Sequence, residues 1–307
     1  MIRGRALLVV VALLVLTLPA QSASAQQFRI DAWTADDGLP QNPVNRVLQT
    51  RDGFLWLATY AGLVRYDGAR FEVFNTGTTP SLNASRFANL FEDRDGNLWA
   101  ATEGQGLVRY RDGRFFRYFG PEDGLTDNST YDFMTDASGR MILDSVRGAV
   151  VWNGERLEPY AGPAPTNGSG RVRVLLGRAD GGVWYLAESV LHKYENGAVT
   201  RRVPLPFANL RWLYEDAQGA IWIEIAEGAA SVRSLLRWEN GAFRRFTAAD
   251  GIPIFRTMSA RDTRDGAVWF GLRSGGGLLR YKDGAFTRFT TADGLPSNNV
   301  GQIIEDR

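Results

Sequence analysis

Residues able to do chemistry are few in this chain and do not gather. His192 is the only histidine and no cysteine occurs, which excludes a disulfide framework, a thiolate metal site and a histidine pair for proton shuttling. Carboxylates are plentiful, but most recur at the same places in a repeated turn, so they mark architecture. No nucleophile stands beside a base, and no acidic run has cation-loop spacing. The residues that differ from copy to copy are arginines and tyrosines at one end of the repeats. They are Arg86, Tyr131, Arg173, Arg211 and Arg256 at the entrances to the first strands, with Tyr60, Arg147 and Arg273 between second and third strands. Arginine forks and tyrosine rings suit binding of a sugar or a carboxylate by charged hydrogen bonds and stacking. They offer no route to bond breaking by themselves.

The elements that must position these residues are repeats. An acidic turn, Gly, Trp, Gly-Leu and Tyr-x-Asp-Gly-x-Phe recur in six copies, most clearly from Glu92 to Phe119. The Trp position falls at Trp56, Trp99, Ile142, Trp184, Trp222 and Trp269, with spacings of 43, 43, 42, 38 and 47 residues. A period of about 40 to 50 residues made of short alternating strands predicts a β-propeller. In the first copy the strands are expected at Val44–Gln49, Leu55–Thr59, Leu63–Tyr66 and Arg70–Phe74. Thr50-Arg51-Asp52-Gly53 forms the first hairpin, and Asp67-Gly68 a tight turn that admits positive φ. The Trp side chains are expected to fill the space between blades, because Ile142 replaces one of them. His192 is read as occupying the third-strand position held by Arg65, Arg109 and Arg280 in other copies.

A further phrase, DDGLPQN at Asp36–Asn42 and its relatives at Glu122–Asn128, Ala249–Pro253 and Ala292–Asn299, connects successive blades. Its Asp and Asn side chains are suited to capping local backbone groups. The segment Phe28–Trp33 reads as the outer strand of a blade, and GLPSNNVGQIIEDR opens a seventh copy. The expected architecture is therefore all-β, with six four-stranded blades plus leading and trailing strands of an incomplete seventh. The chain resembles a seven-bladed ring cut between its first and second strands.

Arg3 and Arg5 precede an apolar run from Ala6 to Ala20, and Ala23-Ser24-Ala25 offers a small-x-small cleavage site, so residues 1–25 are expected to be a signal peptide. Residues 26–307 would form the propeller, exported to the periplasm. With Arg3 and Arg5 removed from the 35 basic residues, 33 remain against 34 acidic ones. This near-neutral balance gives no footing for nucleic acid or an anionic membrane. The mature segment is not expected to insert into a membrane.

The repeat closely resembles the two-component regulator propeller repeat, written DGLP-x-N-x-V, D-x-x-G-x-LW-x-GT and GL-x-RYDG-x-F-x-x-F. Asp37 to Pro40, Val44, Asp52, Gly53, Leu55, Trp56, Thr59, Gly62, Leu63, Arg65 to Gly68 and Phe71 carry the match in the first copy. The resemblance implies a periplasmic sensing region of a hybrid histidine kinase or diguanylate cyclase, binding a small ligand such as an oligosaccharide, with no catalysis in this chain and no cofactor. It also implies an inner-membrane anchor and a homodimer formed through downstream regions. Other propellers are lyases, glycosidases or protein-interaction scaffolds, and these are the alternative readings.

Overall fold

The computed structural model describes residues 29–118, 121–125, 132–135, 139–145, 148–160, 173–177, 183–187, 189–195, 198–206, 210–227, 232–253 and 256–306. From Ala32 onward they form a propeller of six four-stranded antiparallel sheets, each with its strands in sequence order. Blade one comprises β1 (Arg46–Gln49), β2 (Leu55–Thr59), β3 (Gly62–Tyr66) and β4 (Phe71–Phe74), and blade two β5 (Phe87–Glu92), β6 (Leu98–Thr102), β7 (Leu107–Arg111) and β8 (Arg114–Tyr118). Blade three runs through β9 (Asp132–Thr135), β10 (Met141–Ser145), β11 (Gly148–Trp152) and β12 (Leu157–Pro159), and blade four through β13 (Arg173–Gly177), β14 (Val183–Ala187), β15 (Val190–Glu195) and β16 (Ala198–Pro204). Blade five holds β17 (Leu210–Glu215), β18 (Ile221–Glu227), β19 (Val232–Glu239) and β20 (Ala242–Phe246); blade six holds β21 (Arg256–Asp262), β22 (Val268–Arg273), β23 (Gly277–Lys282) and β24 (Ala285–Phe289).

The turns follow from their residues. Asp112-Gly113, Asn240-Gly241 and Asp283-Gly284 have positive φ at both positions, the geometry that a short polar residue followed by Gly tolerates and that matches strand twist. In blades one and three the same pair works differently. Asp67 Oδ1 accepts from the amides of Ala69 and Arg70, and Asn153 Oδ1 from those of Glu155 and Arg156, so the side chain organises the turn. The connectors form single 3-10 turns closed by reciprocal caps between Thr34 and Asp37, Thr247 and Asp250, and Thr290 and Asp293. Asn42 and Asn298 each accept an amide hydrogen bond of 2.8 Å from seven residues upstream, the local capping expected of the phrase.

The Trp positions are core. Trp56 is 2% exposed and Trp99, Trp184 and Trp222 are fully buried. Each indole packs against the next blade: Trp56 on Tyr110 at 5.0 Å, Trp99 on Trp152 at 4.9 Å and Trp222 on Tyr281 at 4.8 Å between ring centroids. On the strand beside it, an arginine guanidinium covers the ring in four blades, through the cross-strand pairs Trp56 with Arg65, Trp99 with Arg109, Trp222 with Arg237 and Trp269 with Arg280. In blade four the register corrects the sequence reading of His192. Lys193, not His192, lies opposite Trp184, while His192 lies opposite Tyr185 and stacks on it at 4.9 Å. Lys193 sits between Glu195 and Glu215, and Arg201 from the fourth strand supplies the cation over Trp184.

The indole N–H is satisfied by a carboxylate six residues earlier where the sequence supplies one. Trp99 donates to Asp93 at 2.8 Å and Trp222 to Asp216 at 2.9 Å. Burial raises the Asp216 carboxyl above its ordinary range, against the pull of the Trp222 hydrogen bond. Trp184, with Arg178 at that sequence position, turns to Glu215 of the following blade at 2.7 Å.

Trp269 is partly buried, less enclosed than Trp99, Trp184 and Trp222. The trailing residues 300–306 lie beside blade six. That segment forms no ladder, yet it docks as an inner strand would. The Val300 amide donates to Leu272 O and Ser259 Oγ donates to Gly301 O, while Gln302 accepts from the Val47 amide and Asp306 from the Gln49 side chain. It thus joins blade six to blade one. The leading residues 32–34 likewise form no strand, since no partner strand lies beside them among the described residues. Trp33 instead lies on Tyr66 at 5.5 Å and Phe71 at 6.5 Å, where an indole from a preceding blade would sit.

Candidate functional site

Four residues after each Trp the chain reaches the turn between second and third strands, so this position samples the same place in every blade. It holds Tyr60 in blade one, Glu103 in blade two and Arg273 in blade six. Facing it, just ahead of or at the start of the first strand, stand Arg86 in blade two and Arg256 in blade six. Because the intervening strands are central and paired on both sides, these end residues are presented by rigid hairpins.

The structure brings Tyr60, Arg86 and Glu103 together. The Glu103 amide donates to Arg86 O at 3.0 Å, and Arg86 Nε donates to Glu103 Oε2 at 2.7 Å. The Arg86 guanidinium lies 4.2 Å from the centre of the Tyr60 ring, within cation–π range. The Glu103 carboxylate beside it raises the Tyr60 phenol above its ordinary range. Hydrogen bonds from Arg86 and then Tyr60 hold the Glu103 carboxyl below its own range. Arg273 of blade six is close enough to act electrostatically on Tyr60. Residues of blades one and two therefore meet on one patch, and Tyr60 remains 38% exposed.

Arg256 and Arg273 are ladder partners in blade six and both are exposed. Arg211 is exposed at the bulge between Leu210 and Trp212. Tyr131 and Arg147 lie outside the described residues, and of Arg173 only the strand position is described. The sequence signalled Tyr60, Arg86, Arg211, Arg256 and Arg273 by departure from the repeat. It did not signal the Tyr60–Glu103–Arg86 contact, which crosses between blades; the available clue was that Tyr60 and Glu103 share one repeat position.

A separate groove of about 420 Å³ lies along the outer strands of blade one, lined by Arg65, Asp67, Arg70, Phe71 and Glu72. Its charges are mutually satisfied, with Arg65 on Glu72 at 2.5 Å and Arg70 on Asp67 at 3.5 Å, and it carries no converging set from other blades. Among the described residues no group of three or more His, Asp or Glu is placed to hold a metal, and no helix is long and apolar enough to cross a membrane.

The fold is that of a six-bladed β-propeller. Residues 38–61 and 81–104 match the family model described as the two component regulator propeller, so the chain carries that family's repeat. Among solved structures, the extracellular domain of the hybrid two component system BT3049 from B. thetaiotaomicron superposes with a TM-score of 0.64 at 16% identity, covering 86% of this chain and 36% of that one. The chain thus spans about a third of that domain's length. Virginiamycin B lyase from Staphylococcus aureus matches with a TM-score of 0.58 at 14% identity over 80% of this chain and 84% of that one. YCF48 from Cyanidioschyzon merolae matches at 0.55 and 14% identity, over 84% and 88%. At these identities the likeness is one of fold, shared by proteins of unlike function. Comparison with curated protein sequences returns no match.

Proposed function

We propose that this propeller is the extracellular, ligand-sensing part of a signalling protein, and that it binds a small saccharide on the connector-side face without turning it over. One observation carries this reading: Tyr60 of blade one meets Arg86 and Glu103 of blade two on an exposed patch at the hairpin ends, and blade six exposes Arg273 at the same repeat position. A face built from several blades is suited to reporting a ligand, because binding there couples units that otherwise meet only at their flanks. The regulator propeller repeat and the extracellular domains that share the fold support the sensing role and a periplasmic or extracellular location. No acid–base pair accompanies the patch among the described residues, which favours binding over catalysis.

Titration calorimetry of the protein against a panel of soluble oligosaccharides, with chromatography of the same mixtures, tests this. One or more should bind and be recovered unchanged, and Tyr60→Ala should weaken binding about tenfold by removing the stacking surface, about 1.4 kcal/mol. Conversion of the sugar would overturn the sensing reading in favour of a propeller lyase or hydrolase. Binding untouched by Tyr60→Ala would move the site off this face.

A further inference from the structure

Blades two and six present the same pair of positions with opposite chemistry. In blade two Arg86 faces Glu103 and the pair neutralises itself across 2.7 Å. In blade six the corresponding residues are Arg256 and Arg273, ladder partners on adjacent strands. Directly opposed like charges destabilise a sheet. Both guanidinium groups are exposed, and among the described residues neither has a hydrogen-bond or ion-pair partner. The adjoining turn is itself costly, since Ser274 has φ of 60°, in the left-handed region that a non-Gly residue seldom adopts.

We infer that Arg256 and Arg273 form an anion clamp, in which a carboxylate of an incoming saccharide takes the place that Glu103 occupies in blade two. Two exposed arginines on one ladder rung supply guanidinium forks within reach of one planar carboxylate, a donor set suited to bidentate capture. Tyr60, within electrostatic reach of Arg273, supplies the neighbouring aromatic surface for the sugar ring. The surrounding charges limit what else can fill the clamp. Glu103 is already engaged by Arg86 and Tyr60, so the site keeps an excess of positive charge. This inference rests on the saccharide-binding reading above and adds the charge class of the ligand, a uronate rather than a neutral sugar.

The test uses the full chain, with digalacturonate and its methyl ester as probes that share a ring skeleton and differ in charge. Digalacturonate should bind at least tenfold more tightly than the ester, and Arg256→Ala and Arg273→Ala should each cost about tenfold. The preference should shrink as salt is raised. Arg273→Glu rebuilds the blade-two pairing in blade six; it should lose digalacturonate binding while keeping or raising the melting temperature, which separates loss of the clamp from loss of the fold. Equal affinity for acid and ester, or digalacturonate binding that survives Arg273→Glu, would overturn the clamp. If the ester binds as tightly as the acid and depends on Tyr60, the saccharide face stands and the clamp alone falls. Failure of both probes to bind would overturn the uronate assignment, and failure of the whole neutral panel as well would overturn the face.

Discussion

At the scale of single residues, the repeat is held by turn side chains that accept the indole N–H and the turn amides. Thr263 shows how a substitution inside the pattern is compensated. It stands where Asp93 and Asp216 stand in other blades, accepts a hydrogen bond from the Trp269 indole N–H at 3.2 Å, and donates its hydroxyl hydrogen bond to Asp265 Oδ1 at 2.5 Å. Asp265 also receives Arg280 at 2.6 Å and Lys282 at 3.2 Å. These hydrogen bonds, that of Thr263 foremost, hold its carboxyl well below the ordinary carboxylate range. A depressed carboxyl contributes stability that is present above its unfolded value near 3.8 and is lost as pH falls below it. Melting temperatures recorded from pH 6 to pH 2 should therefore show wild type above Asp265→Asn at neutral pH, with the gap narrowing below about pH 4. A gap constant across that range would remove Asp265 from the acid limb. The carboxylate is partly exposed, so the effect is a fraction of what a buried pair would give.

At the scale of the element, the unit of stability is the contact between neighbouring blades, where an indole from one second strand meets a ring on the next blade's third strand. Trp99 is enclosed by Tyr118, Trp152 and the Arg109 guanidinium, whereas Trp269, partly buried, has Phe289 and Arg280 of its own blade against it. Truncating a fully buried large ring costs transfer energy and leaves a cavity. Trp99→Ala should thus cost about 3 to 5 kcal/mol, and Trp269→Ala about 2 kcal/mol, because less area leaves water there on folding. Chemical denaturation of the two variants measures both; equal losses would show that blade six is sealed as completely as blade two.

At the scale of the whole molecule, the six blades are joined by the trailing segment. Glu305 accepts from the Arg264 amide at 3.0 Å as Glu92 accepts from the Arg51 amide at 3.1 Å, and the Arg264 and Arg51 guanidinium groups both reach a backbone carbonyl of the adjoining segment. The trailing residues therefore occupy a seventh inner position on blade six just as β5 does on blade one. Glu305→Ala should speed hydrogen exchange at the Arg264 amide by about tenfold, corresponding to a hydrogen bond of about 1 kcal/mol, with amides of β6 unaffected. Unchanged exchange at Arg264 would mean that the segment is held by other contacts.

The sequence by itself determined the blade count, the strand order, the connector caps and the core role of the indoles. Each of these depends on a pattern local to one repeat: alternation of apolar residues, a Gly where φ is positive, an Asp and an Asn in the connector phrase. The candidate arginines were legible for the same reason, as breaks in a pattern that is otherwise kept. The tertiary structure decided what lies across from what. The ladder put Lys193, which precedes Tyr194 as Arg65 precedes Tyr66, opposite Trp184 in place of His192. The meeting of Tyr60 with Arg86 and Glu103 arises because hairpin ends of neighbouring blades approach one another, at separations in sequence that no local pattern encodes.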